Sequence, residues 1–155
     1  MSNLDRIIIL ASDHAGFKLK EAVKSFLQEK GYNIEDVGAR KFADGDDYPE
    51  YMVKAAKKIS MDMKGEKKAI IFGGSGQGEA MVANRFPGVR AAVWYGDNTE
   101  ILKLSREHND ANVLSIGARF VSEESAKEAV ALWLETPFSG EERHQRRIEE
   151  IDSIE

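Results

Sequence analysis

The chain has 155 residues, 42% of them hydrophobic, a formal net charge of −5 and no cysteine. That length fits one domain with a substantial core, and the acidic balance gives no reason to expect nucleic acid or an anionic membrane as partner. The lack of cysteine excludes a disulfide framework and thiol catalysis, and three histidines are too few to favour a structural zinc site.

Short β-rich runs alternate with segments of helical period, the pattern of a parallel sheet with crossover helices. The first strand spans Arg6–Ala11. Its core "IIILA" is too short for a signal peptide, and no stretch reaches the roughly 20 apolar residues of a membrane helix, so the expectation is a soluble cytoplasmic protein. "SDHAG" follows at 12–16, then a helix over "AGFKLKEAVKSFLQEKG" with Phe17, Ala22, Val23, Phe26 and Leu27 near one face and Gly31 as its stop. The second strand is Tyr32–Val37, and the next helix starts in "DDYPE", with Asp46 or Asp47 as cap and Pro49 in the first turn. Lys68–Phe72 forms the third strand and runs into "GGSGQGE" at 73–79 and a helix over "EAMVANR". Arg90–Trp94 and Val113–Ile116 are the fourth and fifth strands, separated by a helix that closes at "REHNDANV", 106–113. Ser122 caps a helix that turns Ala126, Ala129, Val130, Leu132 and Trp133 inward. Ser139 and Glu142 have capping-box spacing, which starts the last helix near Gly140. Five such strands make an open α/β sandwich, in which ligands sit beyond the carboxyl ends of the strands.

The glycine loop fails the Walker pattern, since Glu79 and Ala80 follow Gly78, and it lacks the third glycine of the dinucleotide fingerprint. Two readings remain for Glu79. Beside backbone amides that hold an oxyanion, a carboxylate supplies the base of an enolisation; alternatively it only complements the helix dipole. Asp13 and His14 either hold hydroxyls or an anion at the strand tip, or belong to a helix cap. His108 is either an acid or base near neutral pH or a dipole partner at a helix end. Arg143 and Arg147, four apart with His144 between them, suit a phosphate dianion, or form a solvated face paired with Glu141, Glu142, Glu149 and Glu150.

The stretches "SDHAGFKLKE" (12–21), "DYP" (47–49), "GGSGQGEAMVANR" (73–85), "REHNDANVLSIGAR" (106–119) and "RHQRR" (143–147) resemble, in order and spacing, the ribose-5-phosphate isomerase B family, whose fold the galactose-6-phosphate isomerase subunits share. The resemblance covers nearly the whole chain. It implies a three-layer α/β/α sandwich, Rossmann-like or flavodoxin-like, on a five-stranded parallel sheet. It also implies a homodimer or dimer of dimers with active sites shared across the interface, and the helix over about 140–154 reaching a neighbouring subunit. The implied chemistry interconverts aldose and ketose phosphates through an enediolate, with no metal or organic cofactor.

Many members carry a cysteine base at the first loop position, where this chain has Gly73; a second branch uses a glutamate at the loop's end, which Glu79 matches. By the same resemblance His108 opens the sugar ring and Asn109 binds near the reacting carbons. Amides of Gly74, Ser75, Gly76, Gln77 and Gly78 cradle the enediolate, with Ser75 touching the sugar. Asp13 and His14 hold the sugar and its phosphate end, and Arg119, Arg143 and Arg147 clamp the phosphate, some of them from the neighbour. Ribose 5-phosphate is the implied substrate. A six-carbon sugar phosphate (allose or galactose 6-phosphate), its fit set by residues such as Phe42, Tyr48, Trp94 and Tyr95, and a non-catalytic sugar-phosphate sensor are the alternatives.

Overall fold

In the computed structural model, which describes residues 2–155, the five expected runs form the parallel strands β1 (Ile7–Ser12), β2 (Asn33–Asp36), β3 (Lys68–Gly73), β4 (Ala91–Trp94) and β5 (Val113–Gly117). They lie in the order β2-β1-β3-β5-β4, the flavodoxin order with the last two strands exchanged. Because a strand's side chains alternate between faces, Ile8 and Leu10 point to one layer and Ile9 and Ala11 to the other. On the first face pack α1 (His14–Glu29), α4 (Glu100–Glu107) and α5 (Glu123–Glu135), through Leu19, Val23, Leu27, Leu102, Val130 and Trp133. On the second pack α2 (Tyr48–Ser60) and α3 (Gln77–Ala83), through Met52, Ala55, Ile59 and Ala83. The expected α/β/α sandwich is thus what forms.

From β1 the chain steps one way to β2, then crosses back to β3 on the other side. The carboxyl ends of β1 and β3 therefore flank a topological switch point, where open α/β sheets leave a crevice. Gly16 brings these two ends together: a Cβ there would lie 2.5 Å from Phe72 Cβ, so only glycine lets the start of α1 lie against the end of β3.

Three local expectations are corrected. The buried face of α1 runs through Gly16, Leu19, Lys20, Val23 and Leu27, while Phe17, Ala22 and Phe26 flank it half-buried. Lys20 is fully buried because Asp36 on neighbouring β2 (2.6 Å) and the Ala39 carbonyl (2.7 Å) receive its ammonium. In α2, Asp47 occupies the cap position without a side-chain bond to the helix, and Pro49 sits in the first turn; Asp46 turns elsewhere, as described below. The last helix, α6 (Glu142–Asp152), starts at Glu142 rather than near Gly140. Its capping box does not form, since Ser139 Oγ accepts the Glu141 N–H (3.2 Å) and meets His144 Nδ1 at 2.9 Å. Ser122 does cap α5, its Oγ accepting the Ser125 N–H.

Candidate active site

An open cleft of about 500 Å³ lies at the switch point, lined by Asp13, His14, Gly74, Ser75, Gly78, Glu79 and Arg119, with Asp46, Tyr48 and Phe120 completing its walls. Seven of the residues singled out from the sequence therefore converge. Asp13 follows β1 and caps α1, its Oδ1 accepting the Gly16 N–H at 3.3 Å. Gly76 takes a left-handed conformation (φ 78°) at the start of α3, with its carbonyl held by Ser115 Oγ at 2.6 Å. Gln77 donates its N–H to Ser75 Oγ. These two loop residues shape the turn but do not line the cleft. Arg119, in a single 3-10 turn after β5, donates its N–H to the Gly74 carbonyl and lays its guanidinium beside Gly74.

Glu79, third residue of α3, is 4% exposed. Its carboxylate fills the space over Gly73, where any side chain would overlap it. Burial pushes its pKa above the ordinary value and the charge of Asp13 adds to this, against a lowering bond from its own N–H. A carboxylate so held is a stronger base than one in water, and it sits next to loop amides able to meet a developing oxyanion.

His14 is half-buried, and its partner is one the sequence reading treated only as a possible cap. Asp46 Oδ1 accepts both the His14 N–H (2.8 Å) and a hydrogen bond with Nδ1 (2.7 Å), while Phe42 meets the imidazole edge-on at 6.2 Å. The Asp46 bond raises the His14 pKa, against the effect of burial, and Asp46 is itself held low, despite burial, by its bonds to His14. Tyr48 is singled out from the sequence only as one of the residues that set the fit of a six-carbon substrate, and Phe120 not at all. The "DYP" match marks the first, whose hydroxyl lies against Gly78; nothing in the sequence marks Phe120, which pairs edge-on with Tyr95 at 6.1 Å. Trp94 is buried and donates to the Asn98 carbonyl, away from the cleft lining.

His108, Asn109, Arg143 and Arg147 are not in this cleft. A crossover helix runs antiparallel to its strands, so the end of α4 lies at the strands' amino ends; Arg90, which precedes β4, reaches the Asn109 carbonyl at 3.0 Å. α6 lies there too: its Asp152 pairs with Arg90 at 3.0 Å, and its His144 stacks on His108 with ring centroids 4.1 Å apart. Burial, then the neighbouring His108, lowers the His144 pKa. Arg143 and Arg147 are exposed on α6; Arg143 meets Glu141 at 2.9 Å, and Arg147 has no ion pair among the described residues. The five residues of β5 separate the two groups, roughly 16 Å at strand rise.

Among the described residues, no helix is long and apolar enough to cross a membrane. Asp13, His14 and Asp46 bring three possible ligand atoms within 4.8 Å of one another; hydrogen bonds engage Asp13 Oδ1, His14 Nδ1 and Asp46 Oδ1, while Asp46 Oδ2 is buried without a partner among the described residues.

Known proteins resemble this chain over nearly its whole length. A ribose-5-phosphate isomerase B of Mycolicibacterium paratuberculosis is 38% identical over 148 residues, covering 96% of this chain and 91% of its own. The Escherichia coli ribose-5-phosphate isomerase B is 37% identical over 150 residues, covering 96% and 95%. Among solved structures, ribose-5-phosphate isomerase B of Mycoplasma genitalium with bound ribulose 5-phosphate superposes with a TM-score of 0.90 at 35% identity, over 96% of this chain and 95% of that one. The Thermotoga maritima enzyme gives 0.87 at 39% identity, over 96% and 99%. The family model described as Ribose/Galactose Isomerase matches residues 8–151, and the chain belongs to that family.

Proposed function

We propose that the protein interconverts ribose 5-phosphate and ribulose 5-phosphate, with Glu79 as the base that moves the proton between C2 and C1. The observation that carries this reading is the buried Glu79 carboxylate, raised in pKa and set over Gly73 beside the loop amides. In the open-chain aldose Glu79 takes the C2 proton, the charge that develops on the substrate oxygens is met by amides of the loop from Gly74 to Gly78, and the proton returns at C1 while the O2 proton passes to O1, which gives the ketose. Asp13 and His14 bind the sugar, and Arg119 a phosphate oxygen. Neither step calls on a metal or an organic cofactor.

His108, Asn109, Arg143 and Arg147 enter from a second copy of the chain. Two observations support this. They lie at the wrong end of the sheet to reach their own Glu79, and α6 is thinly anchored: His144 is its one fully buried residue, while Ile151 is 46% exposed. In a two-fold pair, each copy lends its amino-end group to the other's cleft, completing two equal sites. His108 then opens the furanose, Asn109 holds the reacting end, and Arg143 and Arg147 close on the phosphate.

The test is a proton NMR time course in D₂O with ribose 5-phosphate, on the wild-type protein and Glu79→Gln. Ribulose 5-phosphate carrying solvent deuterium at C1 with wild type, and a rate lower by about 10² or more in the variant, is the expected result. Equal rates remove Glu79 from the role. Absence of turnover in both, with turnover of allose or galactose 6-phosphate, moves the substrate to six carbons; absence of all turnover leaves a sugar-phosphate sensor.

A further inference from the structure

A second cavity, of about 520 Å³, opens at the amino ends of β1 and β3, the end of the sheet opposite the Glu79 cleft. One wall carries Arg6, Lys64, Lys68 and Arg106 against two acids, Glu66 and Glu135. That is a local excess of positive charge in a chain whose net charge is −5. Arg106 is fixed in place: its Nε donates to the Thr136 carbonyl (3.1 Å), its Nη1 to the Ala111 carbonyl (2.7 Å) and to Asp110 Oδ1 (2.8 Å), and its guanidinium lies 5.6 Å over Trp133.

Lys68 differs. It opens β3, is half-buried, and has no ion pair or side-chain hydrogen bond among the described residues. Burial first, then the charge of Arg106, press its pKa down to about 8; Asp110 pulls the other way, ahead of a smaller push from Arg6 and a smaller pull from Asp62. This half-buried ammonium lies near two guanidinium groups, and among the described residues no carboxylate is bonded to it. The remaining wall is apolar, built from Ile8, Leu134, Pro137 and Phe138. Convergent cations beside an apolar surface, in a cleft of this size, are the makings of a small-molecule site. Guanidinium groups suit the tetrahedral oxygens of a phosphate.

We propose that this cavity binds a small organic phosphate, its phosphate between Arg6 and Lys68 and its body on Pro137 and Phe138. The site is separate from the Glu79 cleft and does not depend on the activity proposed there. Its Thr136–Phe138 wall is the connector from α5 to α6, so a ligand here bears on the helix that carries Arg143 and Arg147.

Adenosine 5′-monophosphate and inorganic phosphate, titrated into the ¹⁵N-labelled full chain, test this. We expect saturable shifts at the amides of Gly65, Lys68 and Thr136, with the nucleotide binding about tenfold or more tighter than inorganic phosphate. In Lys68→Met, with an unchanged melting temperature, the nucleotide should bind about tenfold or more weaker; Arg6→Gln provides the same test should Lys68→Met not fold. Absence of saturable shifts at these amides, unchanged affinity in a folded variant, or shifts confined to Ser75–Glu79 would each overturn the proposal. Equal affinity for the two probes would overturn the assignment of an organic body.

Discussion

The carboxylate of Glu79 stands in the place that a side chain on Gly73 would occupy; a Cβ at Gly73 overlaps the carboxyl group. A base at position 79 and a side chain at position 73 therefore exclude each other on this backbone. Gly73→Ala should displace Glu79 and lower kcat by about 10² or more, as expected for a misplaced general base. Steady-state kinetics on ribose 5-phosphate, with a melting curve to show that the variant folds, measures this. An unchanged kcat would place the base elsewhere.

Glu79 works deprotonated, and burial with the charge of Asp13 raises its pKa. As pH falls through that raised value the base is lost, so the acid limb of kcat/KM should lie above 4.5, the ordinary glutamate value. Asp13→Asn keeps a capping side chain and removes the charge, and should move that limb to lower pH. The linkage to stability has the opposite sense to the usual acid: a raised folded pKa gives stability that is full below the unfolded value and lost as pH rises through the folded one. Glu79→Gln should therefore melt higher than wild type at neutral pH and at the same temperature below pH 4.5, as calorimetry would show.

Asp46 holds His14 through both its backbone N–H and Nδ1, which leaves Nε2 as the free ring nitrogen. Asp46→Ala should lower the imidazole pKa, read from the Hε1 resonance. It should also raise KM by about tenfold with a smaller change in kcat, the loss of one charge-assisted positioning bond. An unmoved imidazole titration would show that the pair does not form.

Buried Lys20 and half-buried Asp36 form a pair that joins α1 to β2 and, through the Ala39 carbonyl, to the loop that delivers Asp46. Burial alone would raise the Asp36 pKa; hydrogen bonds from Lys20 and Lys24 outweigh it and hold it low. Lys20→Met strips the inner partner from a half-buried carboxylate and should cost about 2 kcal/mol in urea unfolding. A loss below about 1 kcal/mol would mean that Lys24 alone carries Asp36.

The strands are legible in the sequence because the apolar runs of β1, β3 and β5 are short and bounded by polar or glycine residues and helical segments separate all five, and the observed limits differ by a residue or so. The Glu79 loop is legible because it leaves a strand and enters a helix. Asp46 is not, since nothing near it in "DGDDYP" distinguishes a helix cap from a partner of a histidine 32 residues away. The Ser139–Glu142 spacing suggests a box that does not form, because His144 and the Glu141 N–H take the serine hydroxyl. The burial of Lys20 depends on Asp36 across a strand boundary and leaves no trace in helical period. The separation of His108 from Glu79 was readable in principle: a residue that closes a crossover helix belongs to the amino end of a parallel sheet.

If two copies share each site, chains disabled at opposite ends should rescue one another. Glu79→Gln and His108→Ala, each inactive alone, should on unfolding and refolding together recover about a quarter of wild-type activity, since half of the randomly formed pairs carry one intact site. No recovery, with mixed pairs demonstrated by mass spectrometry, would place both groups on one chain.

The stacked His108 and His144 rings and the Glu79 loop face away from each other along the strand axis. On the proposed reading a lone chain is therefore half of a reagent, and specific activity should decline on dilution as pairs dissociate. A substitution that only loosens the grip between copies would silence catalysis while every side chain that touches the sugar stays in place.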